Sequence, residues 1–444
     1  MFRDIRALPM TAASAEAVQA YDHAIEGYLS YQSDLPARME ALFAADPECG
    51  MAHVLKGYLA MLAYKRQAVP AAEAAARAAQ PLVQRATRRE QAHHQALVHW
   101  SHGDPDKAAS TWEQILRDHP HDILAFRLHH FVNFWFGRPD VMLASVLAVE
   151  KYWSDALPGF NAILGCLCFA REESGHYIEA EIAGREAIRR DPRDLWSAHG
   201  VAHVLEMTGR RLEGIAWVES LQGGWDNANS LRHHLWWHQA MYHLELGDTP
   251  KVLVLYDQRF RNHASPLVQA VPDLYIDVQN AASMLLRLTR HGVDVGDRWI
   301  ELADKAEANI GDCQSAFTLP HWVMALAATG RTESARRMLD AMRDYAQGPG
   351  INNRIVGDVA VAVSEAVLAH GLGQYEQAVF RMRPVLGDMY RLGGSHAQQD
   401  VLEQVFLDAA LKAGLNNDRR LIIERVTGRH PLPAARRRGY SMAA

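Results

Sequence analysis

Glycine recurs at a nearly regular spacing along this chain, and that spacing constrains the possible folds more than any other feature. An apolar helical stretch precedes each of these glycines, and in most cases a second helical stretch follows. Successive members are 34 to 45 residues apart: Gly103, Gly137, Gly175, Gly209, Gly247, Gly292, Gly330, Gly373 and Gly414. Such a period is typical of stacked helix-turn-helix units, none of which buries its apolar face alone. The sequence therefore predicts an all-α solenoid of about ten helix-turn-helix repeats.

Residues 89–122 show the pattern of a tetratricopeptide unit most clearly. Ala96 is the small residue that lets the first helix approach the second, and Gly103 makes the turn. Ala108 opens the second helix, Trp112 is its large core residue, and Pro120 ends the unit. Small residues mark close helix contacts, whereas glycine and proline interrupt helices. The predicted fold is therefore a tetratricopeptide-type α-α superhelix.

The repeats also set the predicted domain boundaries. The first unit begins near residue 51, with Tyr64 at the position of the turn glycine. Residues 1–50 are predicted to be N-terminal capping helices, and residues 51–431 the repeat superhelix. The remaining residues, 432–444, include three consecutive arginines at 436–438 and are predicted to be a flexible C-terminal tail.

The composition of the chain argues against several classes of binding partner. A formal charge of −6 over 444 residues gives no basic stripe for a nucleic acid. The four cysteines form no CxxC pair, which argues against a thiol-ligated zinc site or a disulfide framework. The N-terminus lacks the design of a secretory signal, and no apolar run reaches the length of about eighteen residues expected of a membrane helix. We therefore expect a cytoplasmic protein that binds neither nucleic acid nor membrane.

Histidine and tryptophan, 23 and 11 in number, gather on the predicted first helices of several repeats. His199, His203 and Glu206 lie at i, i+4 and i+7, which places them on one helix face. By the register of the turn, that face is the concave one. The candidate ligand-binding residues across the repeats are His130, His199, His203, Glu206, His234, Trp237, His238, His396 and Asp400.

Three interpretations of these residues compete. In the first, the histidines and tryptophans fill helix contacts and have only structural roles. In the second, His199 and His203 hold a metal ion, although the HExxH motif is absent because Gly200 follows His199. In the third, imidazoles and indoles line a concave cavity that binds a small polar molecule or a peptide segment. We favour the third, because several repeats contribute to one face; no metal is predicted and no cofactor is assigned.

Catalysis is left open by the sequence. The order Ser395, His396, Asp400 suggests a hydrolase, but a triad is defined by geometry, and Ser395 after Gly393-Gly394 also suits a helix start. No catalytic residue is therefore assigned. The alternatives to a binding protein are an enzyme of hydrolytic or acid-base type, possibly metal-dependent, that uses the same histidines, and a scaffold for protein-protein interaction.

Four stretches together resemble the tetratricopeptide repeat protein 38 family and its bacterial members. They are residues 129–137, 196–210, 235–248 and 393–400, and the resemblance extends over roughly residues 15–430. It implies a closed or strongly curved tetratricopeptide superhelix in a cytosolic protein, without a defined reaction. It also implies that any shared function depends on the residues that match these stretches: His130, His199, His203, Trp237, His238 and His396.

Overall fold

The computed structural model of the chain describes residues 1–440, whose contacts divide the chain into two compact units. The first unit comprises Met1–Val201 and Gly223–Leu231. The second comprises Ala202–Gln222 and the chain from Arg232 onward. Almost all regular structure in both units is helical. The exception is a short antiparallel pair of strands, β1 (Phe2–Arg3) and β2 (Pro9–Met10), at the start of the first unit.

The first unit consists of consecutive helical hairpins. Its helices are α1 (Ala15–Leu29), α2 (Leu35–Ala45), α3 (Gly50–Met61), α4 (Val69–Val83), α5 (Arg88–Ser101), α6 (Pro105–Asp118), α7 (Ile123–Trp135), α8 (Pro139–Glu150), α9 (Phe160–Glu173) and α10 (Tyr177–Arg190), with a 3₁₀ turn at Arg66–Ala68. Helix α11 (Leu195–Met207) follows and continues into the second unit.

The second unit repeats the hairpin plan with more irregular connections. Its helices are α12 (Arg211–Leu221), α13 (Leu231–Leu246), α14 (Thr249–Leu255), α15 (Pro266–Ala270), α16 (Tyr275–Arg290), α17 (Arg298–Ala308), α18 (Thr318–Ala328), α19 (Thr332–Tyr345), α20 (Ile351–Ile355), α21 (Val361–Gly371), α22 (Tyr375–Met382), α23 (His396–Lys412) and α24 (Asn416–Arg429). π-helical turns occupy Tyr256–Phe260 and Val356–Ala360, and 3₁₀ turns occupy Arg383–Leu392 and Ala434–Arg436. A further 3₁₀ turn, Gln222–Gly224, has Gln222 in the second unit and its two glycines in the first. None of the helices within residues 1–440 has the length and apolar character that a bilayer crossing requires.

A left-handed residue makes the turn within each repeat. All nine glycines of the series have positive φ angles, between 63° and 83°, which glycine adopts without steric cost. Tyr64 makes the equivalent turn between α3 and α4 with a φ of 49°. Ten such turns thus each separate two helices within residues 1–440. The predicted all-α fold of tetratricopeptide-type helix-turn-helix repeats is confirmed.

The hairpin formed by α5 and α6 shows how these units are held together. Ala96, Ala108 and Trp112 are fully buried, as their positions in the repeat predict. The Trp112 indole nitrogen donates a hydrogen bond to the Tyr58 hydroxyl of α3 at 3.0 Å. This repeat is thereby tied to the one before it, which is the stacking that the period implies.

Residues 432–440 pack into the second unit instead of forming the flexible tail that we expected. The side chains of Leu432 and Tyr440 are buried, with 6% and 1% exposure. Arg211 of α12 donates a hydrogen bond to the carbonyl oxygen of Arg436 at 3.0 Å. Hydrophobic anchors on both sides of the basic run account for this, because they bury the segment in which the arginines lie. Residues 441–444 of the predicted tail lie outside the described residues.

Candidate functional site

Three buried histidines of the second unit come together from α11 and α13, and we call them the histidine cluster. His203 lies in the last two turns of α11, and His234 and His238 lie one turn apart on α13. Their exposure is 0%, 2% and 0%. One ring nitrogen from each lies within 4.8 Å of one ring nitrogen from the other two. The centroid of the His238 ring is 4.4 Å from that of His203 and 4.7 Å from that of His234.

Two hydrogen bonds orient the imidazoles of α13. His238 Nδ1 is 2.7 Å from a carboxylate oxygen of Glu206, and His234 Nδ1 is 3.0 Å from the side-chain oxygen of Asn280. Because both oxygens are acceptors, each Nδ1 carries the hydrogen and donates it. The lone pair of each of these two rings is therefore on Nε2.

Burial sets the protonation state of the histidine cluster. It lowers the pKa of His238 to about 3 and the pKa values of His203 and His234 well below the ordinary histidine value. Burial also raises the pKa of Glu206 to about 7. The three imidazoles are consequently neutral at neutral pH. Neutral imidazole is the form that accepts a hydrogen bond or binds a metal ion.

Trp237 forms an aromatic wall beside the histidine cluster. Its ring stacks on His234 with a centroid distance of 5.2 Å and an interplanar angle of 10°, and the indole is completely buried. The guanidinium of Arg287, from α16, lies 5.9 Å from the centroid of the Trp237 ring. The wall restricts rotation of His234, since the stacked ring has little free space on that side.

Asp400 of α23 is the centre of a buried ionic network. It accepts hydrogen bonds from Arg437, from Tyr440 Oη at 2.6 Å, from Gln404 Nε2 at 2.7 Å and from Arg287 at 3.3 Å. Burial by itself raises the pKa of Asp400, but the two arginines outweigh it and hold that pKa below its ordinary value. The carboxylate is therefore charged, and its hydrogen bonds to protein side chains give it a structural role.

The order Ser395, His396, Asp400 does not form a catalytic triad. Ser395 is the N-cap of α23, and its hydroxyl oxygen accepts a hydrogen bond from the backbone of Gln398 in a capping box. The Asp400 carboxylate binds arginines rather than an imidazole. The His396 ring lies 6.4 Å from that of His430, centroid to centroid. These positions agree with the structural role of Ser395 that its preceding glycines suggest.

A cavity of about 30 Å³ lies between Glu206 and Asp400. Tyr242, His430 and Arg437 are among its other lining residues. Its volume suits one or two water molecules and excludes an organic molecule. The second unit thus surrounds its candidate residues with closely packed side chains.

His130 and His199 belong to the first unit. Both are buried, with exposures of 0% and 3%. Both pack on Phe169, with ring centroids 6.3 Å and 5.3 Å away, and on Trp196, with centroids 6.3 Å and 5.0 Å away. Within residues 1–440, neither nitrogen of His130 has a hydrogen-bond partner. The structure therefore places these two predicted site residues in an aromatic core.

The first unit also contains an open cavity of about 930 Å³. Arg127 of α7 lines it with only 1% exposure and donates hydrogen bonds to Cys166 Sγ at 2.8 Å and to the Tyr31 hydroxyl. Its guanidinium lies 4.6 Å from the Phe131 ring centroid and 4.5 Å from that of Trp196. No carboxylate within residues 1–440 forms an ion pair with it, which is unusual for a buried charge.

Sequence reasoning missed the polar partners that hold the candidate residues. Asn280 and Arg287 are buried on α16 and lie seven residues apart, so they share a helix face. Polar residues at that spacing on one helix face are the signal that was available. Arg437 and Tyr440 carry no such signal, because their contacts with Asp400 depend on how the C-terminal segment folds back within the second unit.

The fold and this site define a helical-repeat protein of tetratricopeptide type with a buried histidine cluster. No family model matches the chain. A solved structure of Naa15/Naa10 bound to HypK-THB matches 95% of this chain and 64% of that chain, with 12% sequence identity and a TM-score of 0.27. The chain thus spans just under two thirds of the length of that neighbour. At this TM-score, we draw nothing further from the likeness.

Proposed function

We propose that this protein binds a small polar molecule or ion, and that the histidine cluster is its binding site. The observation that carries the proposal is the convergence of nitrogens from His203, His234 and His238 within 4.8 Å. Hydrogen bonds to Glu206 and Asn280 fix two of these rings, which is the preorganisation that a binding site requires. Because the cluster is buried, a small ligand suits it better than an extended peptide.

The resemblance to the tetratricopeptide repeat protein 38 family supports the same choice of residues. His203, Trp237 and His238 lie within two of the stretches that carry the resemblance, 196–210 and 235–248, and His234 directly precedes the second. We infer that members with these stretches share the site. The other candidate roles are an enzyme that uses the same histidines and a scaffold for protein-protein interaction.

Native mass spectrometry tests the proposed site directly. The wild-type protein should show a mass excess over the bare chain that disappears on denaturation. The double variant His234→Gln/His238→Gln should lack that excess. The matched control is His321→Gln, a buried histidine on α18 whose Nδ1 bonds the Phe317 carbonyl oxygen at 2.8 Å. The proposal fails if the wild type shows no excess, or if the double variant retains it.

The first unit favours a second binding role, for a small organic carboxylate. The observation is the buried guanidinium of Arg127 at the 930 Å³ cavity without a carboxylate partner in the described residues. Cavities of this size hold drug-sized molecules, and arginine binds carboxylates through paired hydrogen bonds. A bound carboxylate would form the direct ion pair that Arg127 does not make with a carboxylate of the described residues.

Thermal unfolding with paired probes tests this second role. At least one of the three acids acetate, benzoate and succinate, at millimolar concentration, should raise the melting temperature of the wild type. The corresponding neutral amides should not, and Arg127→Met should remove the effect. Equal shifts with acids and amides, or no shift with any of the three acids, would refute a carboxylate site.

A further inference from the structure

We propose that the histidine cluster binds one divalent first-row transition-metal ion, with His203, His234 and His238 as ligands. This inference rests on the proposed function, because it names the ligand class of the same site. It differs from the expectation drawn from sequence, in which no metal was predicted. The change comes from His234 and His238, whose approach to His203 the sequence does not reveal.

The ligand geometry is the first argument for a metal ion. Zinc bonds histidine nitrogens at about 2.0–2.1 Å, so tetrahedral ligand nitrogens lie roughly 3.4 Å apart. The three nitrogens of the cluster lie within 4.8 Å of one another, which is close to that separation. His234 and His238 provide the i, i+4 pair that chelates well from one helix, and His203 completes the set from α11.

The partners of the ligands are the second argument. Histidines that bind metals characteristically donate the other ring hydrogen to a carboxylate or amide oxygen, which fixes the tautomer. His238 donates Nδ1–H to Glu206 at 2.7 Å, and His234 donates Nδ1–H to Asn280 at 3.0 Å. These bonds assign the lone pairs to the two Nε2 atoms.

The ligand type narrows the choice of ion. Neutral imidazoles suit zinc, copper, iron and nickel, whereas magnesium and calcium require oxygen ligands. A tetrahedral ion takes four ligands, and the histidine cluster supplies three of them.

Elemental analysis of the full chain provides the test. After saturation with zinc and removal of free metal, the wild type should retain about one zinc per chain. His234→Gln/His238→Gln should retain roughly a tenth of that or less, and His321→Gln should retain all of it. Circular dichroism verifies that each variant is folded. A wild type without stoichiometric zinc overturns the proposal, as does a folded double variant that retains it.

Cobalt substitution provides a second test of the metal site that uses only the wild-type protein. Wild-type protein loaded with Co²⁺ should show the visible absorption bands of a four-coordinate ion, and their absence overturns the metal assignment. The outcome also separates the two proposals about this site. An organic mass excess that the double variant loses, without metal in the wild type, leaves the binding site in place and refutes the ion. No mass excess of either kind refutes both.

Discussion

The histidine cluster with Asp400 in the second unit and the aromatic surroundings of Arg127 and His130 in the first unit hold buried polar side chains in different ways. In the second unit, Asn280 orients His234 and Glu206 orients His238, each through one hydrogen bond. Arginine side chains hold the Asp400 carboxylate in the same unit. In the first unit, Arg127 has no carboxylate partner and His130 has no hydrogen bond within the described residues. Histidines on equivalent repeat helices can therefore have different roles. A ring held by a defined acceptor is suited to ligand binding, whereas a ring among aromatics is suited to packing.

The largest expected effect is that of Asp400→Asn in the second unit. The substitution leaves Arg287 and Arg437 buried near a neutral side chain and should lower the free energy of unfolding by about 3–5 kcal/mol. Chemical denaturation measures it. Glu113→Gln, which breaks an exposed pair with Arg117, is the control and should leave the midpoint unchanged. A loss for Asp400→Asn as small as that of the control would contradict the contrast between the units.

The same variant has a predicted dependence on pH. The folded-state pKa of Asp400 lies below its ordinary value, so the carboxylate contributes stability above about pH 4. That contribution is lost as the pH falls through the folded-state pKa. The difference in the free energy of unfolding between wild type and Asp400→Asn should therefore have its full size near pH 6 and become smaller as the pH falls below about 4. If this difference in stability grows as the pH falls, groups other than Asp400 determine its pH dependence.

Asn280→Leu tests whether orientation distinguishes the histidine cluster. The substitution removes the acceptor for His234 Nδ1 and should weaken zinc binding about 10–100-fold, measured by competition with a chelator. Gln279→Leu is the matched control, because it removes the neighbouring buried amide, which donates to Thr318 at 2.8 Å. Equal affinities in these two variants would mean that the bond from His234 to Asn280 has no role in ligand binding.

Arg127→Met should be much milder than Asp400→Asn, although both remove a buried charge. The arginine forms no direct ion pair with a carboxylate, so we expect a loss of about 1–2 kcal/mol from packing and hydrogen bonds. Denaturant titration of the two variants side by side measures the difference. A loss equal to that of Asp400→Asn would show that Arg127 neutralises an acidic group after all.

The smallest effect is expected for His130→Phe in the first unit. The change keeps a ring among Phe169 and Trp196 and removes two buried nitrogens without partners, so stability should change by less than about 1 kcal/mol. Zinc content should stay at the wild-type level. The corresponding change His203→Phe in the histidine cluster should abolish zinc binding. If both variants lose zinc, the distinction between the units fails.

The repeat architecture could be predicted from the sequence because its signals are local. A left-handed turn strongly favours glycine, so the glycine series marks the turns directly, and Tyr64 was placed by counting from its neighbours. Ser395 as a helix cap followed from the residues beside it. Such inferences need only the chain within a few residues of each position.

The partners of the candidate site could not be predicted, because they are distant in sequence. Asn280 lies 46 residues from His234, and Tyr440 lies 40 residues from Asp400. The arginine run at 436–438 has the composition of a solvated tail, yet the buried Leu432 and Tyr440 on either side hold it in the second unit. His130 and His203 have the same repeat context, and only their neighbours on other helices distinguish them.

Anomalous X-ray diffraction from zinc-loaded crystals at the zinc absorption edge tests the central claim most directly. We expect a single strong peak per chain, about 2.0–2.1 Å from ring nitrogens of His203, His234 and His238. A cluster whose nitrogens bond only water or protein atoms, with no anomalous peak among them, would contradict the claim.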